Sequence, residues 1–133
     1  MILGIGIDSV EIARLIPWTQ FSEKQLLRLF HKDELAYCFL STPKIAERLA
    51  ARFAAREACF KALTQHCAQP LPFLTLCKAM HVKNLPSGAP DLIIDWNYLD
   101  QKGYFKTDKS LKTHISLTHT HTTATALVIL EYR

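Results

Sequence analysis

The sequence lacks the marks of secreted, membrane-bound and disulfide-linked proteins. No apolar run approaches the ~18 residues that a membrane-spanning helix needs, and residues 1–7 are apolar without the basic start of a signal peptide. The four cysteines show no paired CxxC spacing, which favours reduced thiols, with a disulfide pair as the alternative. We therefore expect a cytoplasmic protein that does not bind membranes.

Common catalytic and nucleic-acid-binding patterns are missing as well. The chain contains no GxSxG nucleophile elbow, no Walker phosphate loop and no GxGxxG after a strand. Its basic residues are not concentrated in one segment with interleaved aromatics, which argues against nucleic acid as a partner. Histidines at 114, 119 and 121 fit no standard zinc spacing, and alternating His and Thr is more typical of a polar strand surface.

What is present indicates one soluble globular domain. The chain has 133 residues, of which 49% are hydrophobic and 21% charged, so it is long enough to bury a core and shows no disordered bias. The net charge of +4 is modest, and it favours anionic substrates or partners.

A long central helix is predicted from about Pro43 to about Gln65. Winding at ~100° per residue places Phe53, Glu57 and Phe60 on one stripe. The opposite face consists of small residues that let a second element approach closely: Ala51, Ala55, Ala58 and Ala62. We expect a buried helix, in which the carboxylate of Glu57 needs a cation, a metal ion or hydrogen-bond donors.

The N-terminal stretch predicts a strand with one nearly bare face. Aliphatic residues from Leu3 to Ile7 alternate with Gly4, Gly6 and Asp8. Glycines inside a strand often mark the close approach of a ligand or of another backbone. Asp8 either shares that bare face or caps a helical segment at residues 9–15.

The remaining segments predict an α+β fold, with a small, mostly antiparallel sheet packed on the long helix. Short helices are expected over residues 22–29 and 32–40, strands over 73–82 and 92–96, an irregular segment over 97–112, and a closing antiparallel hairpin from the strands 113–121 and 124–132.

The strongest candidates for catalysis or metal binding are Asp8, Glu57 and Lys61. Two carboxylates from different elements repel each other unless a cation lies between them. Magnesium held by one or two carboxylates and by phosphate oxygens is the usual solution, and Lys61 could then neutralise a phosphate. The simpler alternative is an ordinary ion pair between Glu57 and Lys61, one helical turn apart, worth ~0.2–0.5 kcal/mol.

Four motifs, in order and spanning both ends of the chain, strengthen the metal interpretation. They are GIGIDSVEI at residues 4–12, RFAAREACFKAL at 52–63, GAP at 88–90 and HISLTH at 114–119. This series resembles the holo-[acyl-carrier-protein] synthases, the small single-domain type of 4'-phosphopantetheinyl transferase. The sequence departs from that family at residues 64–70, where a glycine-containing loop is usual.

The resemblance implies a reaction and a fold. Members of the family transfer the phosphopantetheine arm of coenzyme A to a serine of apo acyl carrier protein, with magnesium, and release adenosine 3',5'-bisphosphate. A 4'-phosphopantetheinyl transferase-like fold is implied for residues 1–133. Family members form homotrimers with active sites between subunits, so a homotrimer is expected here too.

The resemblance also assigns roles to residues. Asp8 and Glu57 match the magnesium ligands, and Lys61 matches the lysine near the phosphates; these three form the catalytic set. Glu57, or a water held by Asp8, could take the serine proton. Residues matching the coenzyme A site are Arg52, Lys61, Gly88, Pro90, His114, Ser116 and Thr118. Lys44 lies on the same helix as Arg52, and both could meet the 3'-phosphate. Arg14 matches a basic residue that faces the acidic carrier protein.

Two functions of other classes remain open at this point. A non-catalytic trimeric module could keep the fold and bind coenzyme A or an acidic protein. A basic nucleic-acid binder would show steeply salt-dependent affinity for generic duplex.

Overall fold

The computed structural model describes residues 1–106 and 110–133. The strands are β1 (Ile2–Glu11), β2 (Met80–Asn84), β3 (Pro90–Ile94), β4 (Leu111–His119) and β5 (Thr123–Tyr132). The α-helices are α1 (Glu23–Leu26), α2 (Lys32–Cys38), α3 (Ile45–Thr64), α4 (Phe73–Ala79) and α5 (Trp96–Gln101). Short 3₁₀ turns lie at Ile12–Leu15, Pro17–Gln20 and Thr42–Lys44. The predicted α+β class is confirmed.

The strands form two antiparallel sheets. In the larger sheet β5 lies between β1 and β4, and in the smaller sheet β2 pairs with β3. The predicted closing hairpin is confirmed as β4 and β5. Because directly paired residues share a face of a sheet, Asp8, its partner Ala126 and the adjacent Leu117 lie on one side. We call this side, which faces α3, the inner face, and the opposite side the outer face.

Helix α3 confirms the predicted long helix to within two residues at each end, with a length of 20 residues. Pro43 lies in the preceding 3₁₀ turn, where the helix does not need a hydrogen bond from its missing N–H. Within the described ranges, no helix combines the length and the apolar character that crossing a membrane would require.

The close contact between β1 and α3 depends on residues with almost no side chain. A Cβ built on Gly4 would lie 2.0 Å from the carbonyl oxygen of Ala62, and one built on Gly6 would lie 1.8 Å from that of Ala58. The bare strand face therefore meets another backbone, not a ligand. The prediction that the helix alanines allow close approach is confirmed at these two positions.

The stripe of Phe53, Glu57 and Phe60 is less buried than the opposite side of α3, so the expectation of a buried helix was wrong for this side. These three residues are half-buried, whereas the alanine side is almost entirely inaccessible. Small residues let the sheet come close and cover them completely, so the larger rings pack elsewhere. Phe53 contacts the ring of Trp18, with centroids 5.4 Å apart, and Phe60 contacts Phe73 at 5.6 Å.

The chain between β1 and α3 follows most of the expectations. Strand β1 continues to Glu11, so Asp8 stands in mid-strand and the alternative of a helix cap is wrong. Helices α1 and α2 are present where short helices were predicted, although each is shorter. Ser22 caps α1 by accepting a hydrogen bond of 3.2 Å from the backbone N–H of Gln25.

Two predictions in the second half of the chain were wrong. Residues Phe73–Ala79 are helix α4, and only the end of the predicted 73–82 strand is extended, as β2. The segment 97–112 is not wholly irregular, because Trp96–Gln101 form α5, which Asp95 caps through the N–H of Tyr98. Residues 107–109 of that segment lie outside the described residues.

A buried ion pair joins α2, α3 and β2. The guanidinium of Arg56 contacts both carboxylate oxygens of Glu34, and both side chains are completely inaccessible to solvent. Glu34 also accepts hydrogen bonds from the backbone N–H groups of His31 at 2.8 Å and Val82 at 3.1 Å. The carboxylate is thus fully paired, which is the condition under which a charge can remain buried.

All four cysteines are free, as predicted. Cys38, Cys59 and Cys77 are buried, and burial raises the pKa values of their thiols to about 11, about 12 and about 11. Burial also raises the pKa of Cys67, which is half-buried. These thiols are therefore protonated at neutral pH.

We expect Glu34→Ala to lower the free energy of unfolding by about 3–5 kcal/mol, because it leaves the buried charge of Arg56 without a partner. Urea denaturation followed by circular dichroism measures the loss. The exposed Glu23→Ala is the matched control and should change stability by less than about 0.5 kcal/mol. Equal effects of the two substitutions would contradict the role given to the buried pair.

Candidate functional site

Asp8 lies in β1 just beyond the residues that α3 covers. It lies two residues after Gly6 on the same inner face, in register with buried Ala126 of β5. Its side chain is 21% exposed. Strand pairing on one side and the helix contact on the other therefore hold this carboxylate at a fixed place that solvent still reaches.

Lys61 of α3 contacts Asp8 directly. Its Nζ lies 3.3 Å from Oδ1 of Asp8 and donates a hydrogen bond of 2.9 Å to the carbonyl oxygen of Ile7. Across residues 1–106 and 110–133, Lys61 forms its ion pair with Asp8 and not with Glu57. The simple pair between Glu57 and Lys61, the alternative reading of this helix, is therefore wrong.

Glu57 shares the electrostatic environment of these two residues. Burial and, next, the negative charge of Asp8 raise the pKa of Glu57, while the charges of Lys61 and Arg14 lower it to a lesser extent. Asp8, Glu57, Lys61 and Arg14 are therefore close enough to interact, and we call them the acidic cluster. The exposed Arg14 lies on the 3₁₀ turn that follows β1.

The acidic cluster fits a hard divalent cation better than a transition metal. Across the described parts of the chain, no three His, Cys, Asp or Glu side chains form a group able to hold a metal ion. Two carboxylates alone match magnesium, which keeps several water or phosphate ligands. Burial and, next, repulsion from Asp8 raise the pKa of Glu57, and a cation beside both carboxylates would relieve that repulsion. The roles of these two residues as metal ligands stay a prediction.

A second cluster lies at a cavity of about 320 Å³ between α3, α2, the β2–β3 turn and the end of β4. We call it the basic cavity. Its polar lining comprises Tyr37, Lys44, Glu47, Arg48, Arg52, Asn84, Thr118 and His119, with Gly88 and Pro90 at the turn. The structure thus brings together four of the residues predicted to meet coenzyme A, namely Arg52, Gly88, Pro90 and Thr118.

Arg52 is the most unusual side chain of the basic cavity, since the residue is only 4% exposed. Its Nη2 donates a hydrogen bond of 3.3 Å to Oδ1 of Asn84, while its Nε has no hydrogen-bond partner. In the part of the chain that the structure describes, no carboxylate forms an ion pair with it. A buried guanidinium without a counter-charge is a ready site for an anion.

His114 and Ser116 lie in neither cluster. They belong to the row of β4 residues that pair with Ile129 and Leu127, on the outer face of the sheet. His114 contacts Glu131 through Nε2 and Oε2 at 2.7 Å, and this contact lowers the pKa of Glu131. Thr118 continues the same row and reaches the rim of the basic cavity.

The two clusters lie on opposite sides of α3. Arg52 and Lys61 are nine residues apart, which corresponds to ~13.5 Å along the axis and about half a turn around it. The acidic cluster faces β1, and the basic cavity opens toward α2 and β4. One copy of the chain therefore presents two chemically different sites that face away from each other.

Several residues of the basic cavity were not singled out from the sequence. Arg48 had a signal, because it lies one helical turn before Arg52 and shares its side of α3. Tyr37 and Asn84 come from α2 and β2, so only the tertiary fold brings them to Arg52, whereas His119 belongs to the motif at residues 114–119. Glu47 pairs with His119, at 3.2 Å between Oε1 and Nε2.

Comparison with known proteins identifies the family. A model described as the 4'-phosphopantetheinyl transferase superfamily matches residues 4–127. A holo-[acyl-carrier-protein] synthase of Treponema denticola is 42% identical over 132 residues, covering 98% of this chain and 99% of its own. The chain therefore belongs to the 4'-phosphopantetheinyl transferase superfamily and, within it, to the holo-[acyl-carrier-protein] synthase family of enzymes.

Solved structures of synthases share the fold. The Bacillus anthracis synthase, in complex with CoA (3',5'-ADP), has a TM-score of 0.71 at 29% identity, with 100% of this chain and 99% of that chain covered. The Helicobacter pylori synthase, in complex with coenzyme A, has a TM-score of 0.72 at 25% identity, with 96% and 99% covered. The predicted fold is confirmed.

Glu57→Gln should stabilise the metal-free protein at pH 7. A carboxyl whose pKa is raised on folding binds more protons in the folded state, so its charge opposes folding at any pH above its folded pKa. We expect a higher Tm for the variant at pH 7 in a chelator, and no difference below the ordinary glutamate pKa, where wild-type Glu57 is protonated in both states. A lower Tm for the variant at pH 7 would contradict this electrostatic account.

Proposed function

We propose that the protein transfers the 4'-phosphopantetheine arm of coenzyme A to a serine of an apo acyl carrier protein, in a magnesium-dependent reaction that releases adenosine 3',5'-bisphosphate. The observation that carries this proposal is the acidic cluster, in which Asp8, Glu57 and Lys61 converge from a strand and a helix. The synthase names of the relatives and the coenzyme A complexes of related synthases support it.

The acidic cluster suits phosphoryl transfer, which asks the protein chiefly for positioning and charge neutralisation. Asp8 and Glu57 would hold Mg²⁺, which when bound neutralises phosphate charge. Lys61, whose Nζ lies 3.3 Å from Asp8, adds a positive charge where the pyrophosphate of coenzyme A would lie.

The reaction forms a bond between the serine oxygen and the phosphorus that carries the pantetheine arm. It breaks the bond from that phosphorus to the bridging oxygen of the pyrophosphate, which stays with the nucleotide. The serine proton needs an acceptor, and either Glu57 or a water held beside Asp8 is placed to take it. The leaving group is adenosine 3',5'-bisphosphate.

The basic cavity would bind the nucleotide end of coenzyme A. Arg52 is buried without a counter-charge, and Lys44, which lies in the 3₁₀ turn before α3 and not on the same helix as expected, also lines the cavity. A phosphate monoester at the 3' position would supply the acceptor oxygens that the unpartnered Nε of Arg52 lacks. Gly88 and Pro90, at the turn between β2 and β3, form the rim where a ribose or a base could approach the backbone.

A homotrimer with active sites between subunits explains how one substrate reaches both clusters. Within a single copy the acidic cluster and the basic cavity face away from each other, so we propose that the cavity of one copy faces the acidic cluster of the next. The outer face of the larger sheet is suited to this contact, since Ile5 and Ile7 are 57% and 60% exposed beside Leu127 and Ile129. His114 and Ser116 would then reach the coenzyme A site from that face.

The carrier protein would dock beside Arg14. This arginine is exposed and lies close enough to the acidic cluster for its charge to lower the pKa of Glu57. Acyl carrier proteins are acidic, and a basic residue at the mouth of the site would guide an anionic partner. The net charge of +4 agrees with such a partner.

Asp8→Ala and Glu57→Ala should each reduce transfer at least ~100-fold, because each removes a ligand whose charge positions the metal and phosphates. Intact mass spectrometry of apo acyl carrier protein with coenzyme A and Mg²⁺ detects the added arm. Chelation should abolish transfer by the wild type, and added Mg²⁺ should restore it. The control is Glu11→Gln, which alters an exposed carboxylate on the same strand and should remain active. Folded wild-type protein that modifies no carrier in a panel would refute the proposed function.

Mixing two inactive variants tests whether the site is shared between copies. We expect Arg52→Gln and Glu57→Ala to be weak or inactive alone at low coenzyme A. Mixed trimers of equal amounts should regain activity at about one quarter of the sites, where intact Arg52 of one copy meets intact Glu57 of the next. Unfolding and refolding the two variants together, against the same treatment of each alone, gives the comparison. No recovery in trimers shown to be mixed would place both residues in the site of one copy.

A further inference from the structure

At the wall of the basic cavity, the ring of Tyr37 contacts the guanidinium groups of two arginines. The guanidinium carbon of Arg48 lies 4.2 Å from the ring centroid, and that of Arg52 lies 4.5 Å from it. Tyr37 comes from α2, whereas both arginines lie on α3, one helical turn apart. An aromatic face attracts cations through its negative quadrupole, and the attraction grows where water is excluded.

The two arginines repel each other, and the attraction of both to the ring offsets part of this repulsion. Like charges one turn apart on a helix are destabilising, and among the described residues neither arginine forms an ion pair with an acid. Glu47, the carboxylate in the cavity lining, contacts His119 at 3.2 Å instead. Their other hydrogen bonds are to neutral groups. Arg48 donates to the carbonyl oxygen of Tyr37 at 2.9 Å, and Arg52 donates to the backbone carbonyl oxygen of Arg48 and to Oδ1 of Asn84.

We propose that Tyr37 is a positioning residue that holds Arg48 and Arg52 together as a paired receptor for a phosphate monoester. The inference rests on the proposed function, in which this cavity binds the nucleotide end of coenzyme A. The paired arginines recognise the dianionic 3'-phosphate, and Tyr37 thereby sets the preference for coenzyme A over the same molecule without that phosphate. Neither the sequence motifs nor the acidic cluster involves Tyr37.

The side chain of Tyr37 acts through its ring, and not through its backbone or its hydroxyl. Because Arg48 bonds to the carbonyl oxygen of Tyr37, substitutions of the side chain leave that contact in place. Tyr37→Phe keeps the aromatic face and removes only the hydroxyl. Tyr37→Leu removes the face while keeping an apolar side chain that can fill part of the space.

Isothermal titration of the oligomeric protein with coenzyme A and with 3'-dephospho-coenzyme A tests the proposal. For Tyr37→Leu we expect a loss of about tenfold in affinity for coenzyme A, the equivalent of one desolvated cation–π contact. Affinity for 3'-dephospho-coenzyme A should change less than about twofold, because that ligand lacks the group the arginines bind. Tyr37→Phe should keep the preference of the wild type. In the transfer assay the same loss should raise KM for coenzyme A and leave kcat nearly unchanged.

Three results would overturn the proposal: an unchanged coenzyme A preference in Tyr37→Leu, an equal loss for both ligands, or a loss in Tyr37→Phe as large as in Tyr37→Leu. Thermal unfolding confirms that each variant is folded, and Tyr37→Met, which also lacks a ring face, replaces the leucine variant if that one fails. A wild type that binds neither ligand would refute the proposed function instead, so the two failures are distinguishable.

Discussion

The contact between the backbones of β1 and α3 determines the rest of the structure. At Gly6 a single added carbon would lie 1.8 Å from a helix carbonyl oxygen, so no other residue type fits without moving the strand or the helix. This closeness puts Asp8, two residues later, within reach of Lys61. The glycines thus act indirectly, since they set the separation at which the carboxylate of Asp8 and the ammonium group of Lys61 meet.

Helix α3 separates two kinds of recognition. Its β1 side carries Glu57 and Lys61, which would belong to the proposed reacting centre, and its other side carries Arg48 and Arg52, which would bind the nucleotide in the proposed function. The buried pair of Arg56 and Glu34 joins this helix to α2 and β2. A rigid helix keeps the two sets at a constant separation within one copy, and in the proposed homotrimer they would belong to two neighbouring sites.

The sequence predicted features with local causes and missed those with tertiary causes. The period-two pattern before Asp8 and the length of α3 can be read from neighbours in the chain. The helix at Phe73–Ala79 was predicted as a strand because a short apolar run fits either structure, and packing of Phe73 on Phe53 and Phe60 decides between them. Tyr37 could not be singled out, because its ring contacts Arg48 and Arg52 of a helix that follows it in the chain.

The burial of the cysteines has a consequence for their reaction with disulfides. Exchange between a thiol and a disulfide proceeds through a thiolate that is accessible to its partner. Cys38, Cys59 and Cys77 are inaccessible, and their raised pKa values, about 11, about 12 and about 11, keep them protonated. A small disulfide, such as the oxidised form of a thiol cofactor, therefore finds no ready attachment point at these positions, and the core is protected from mixed disulfides.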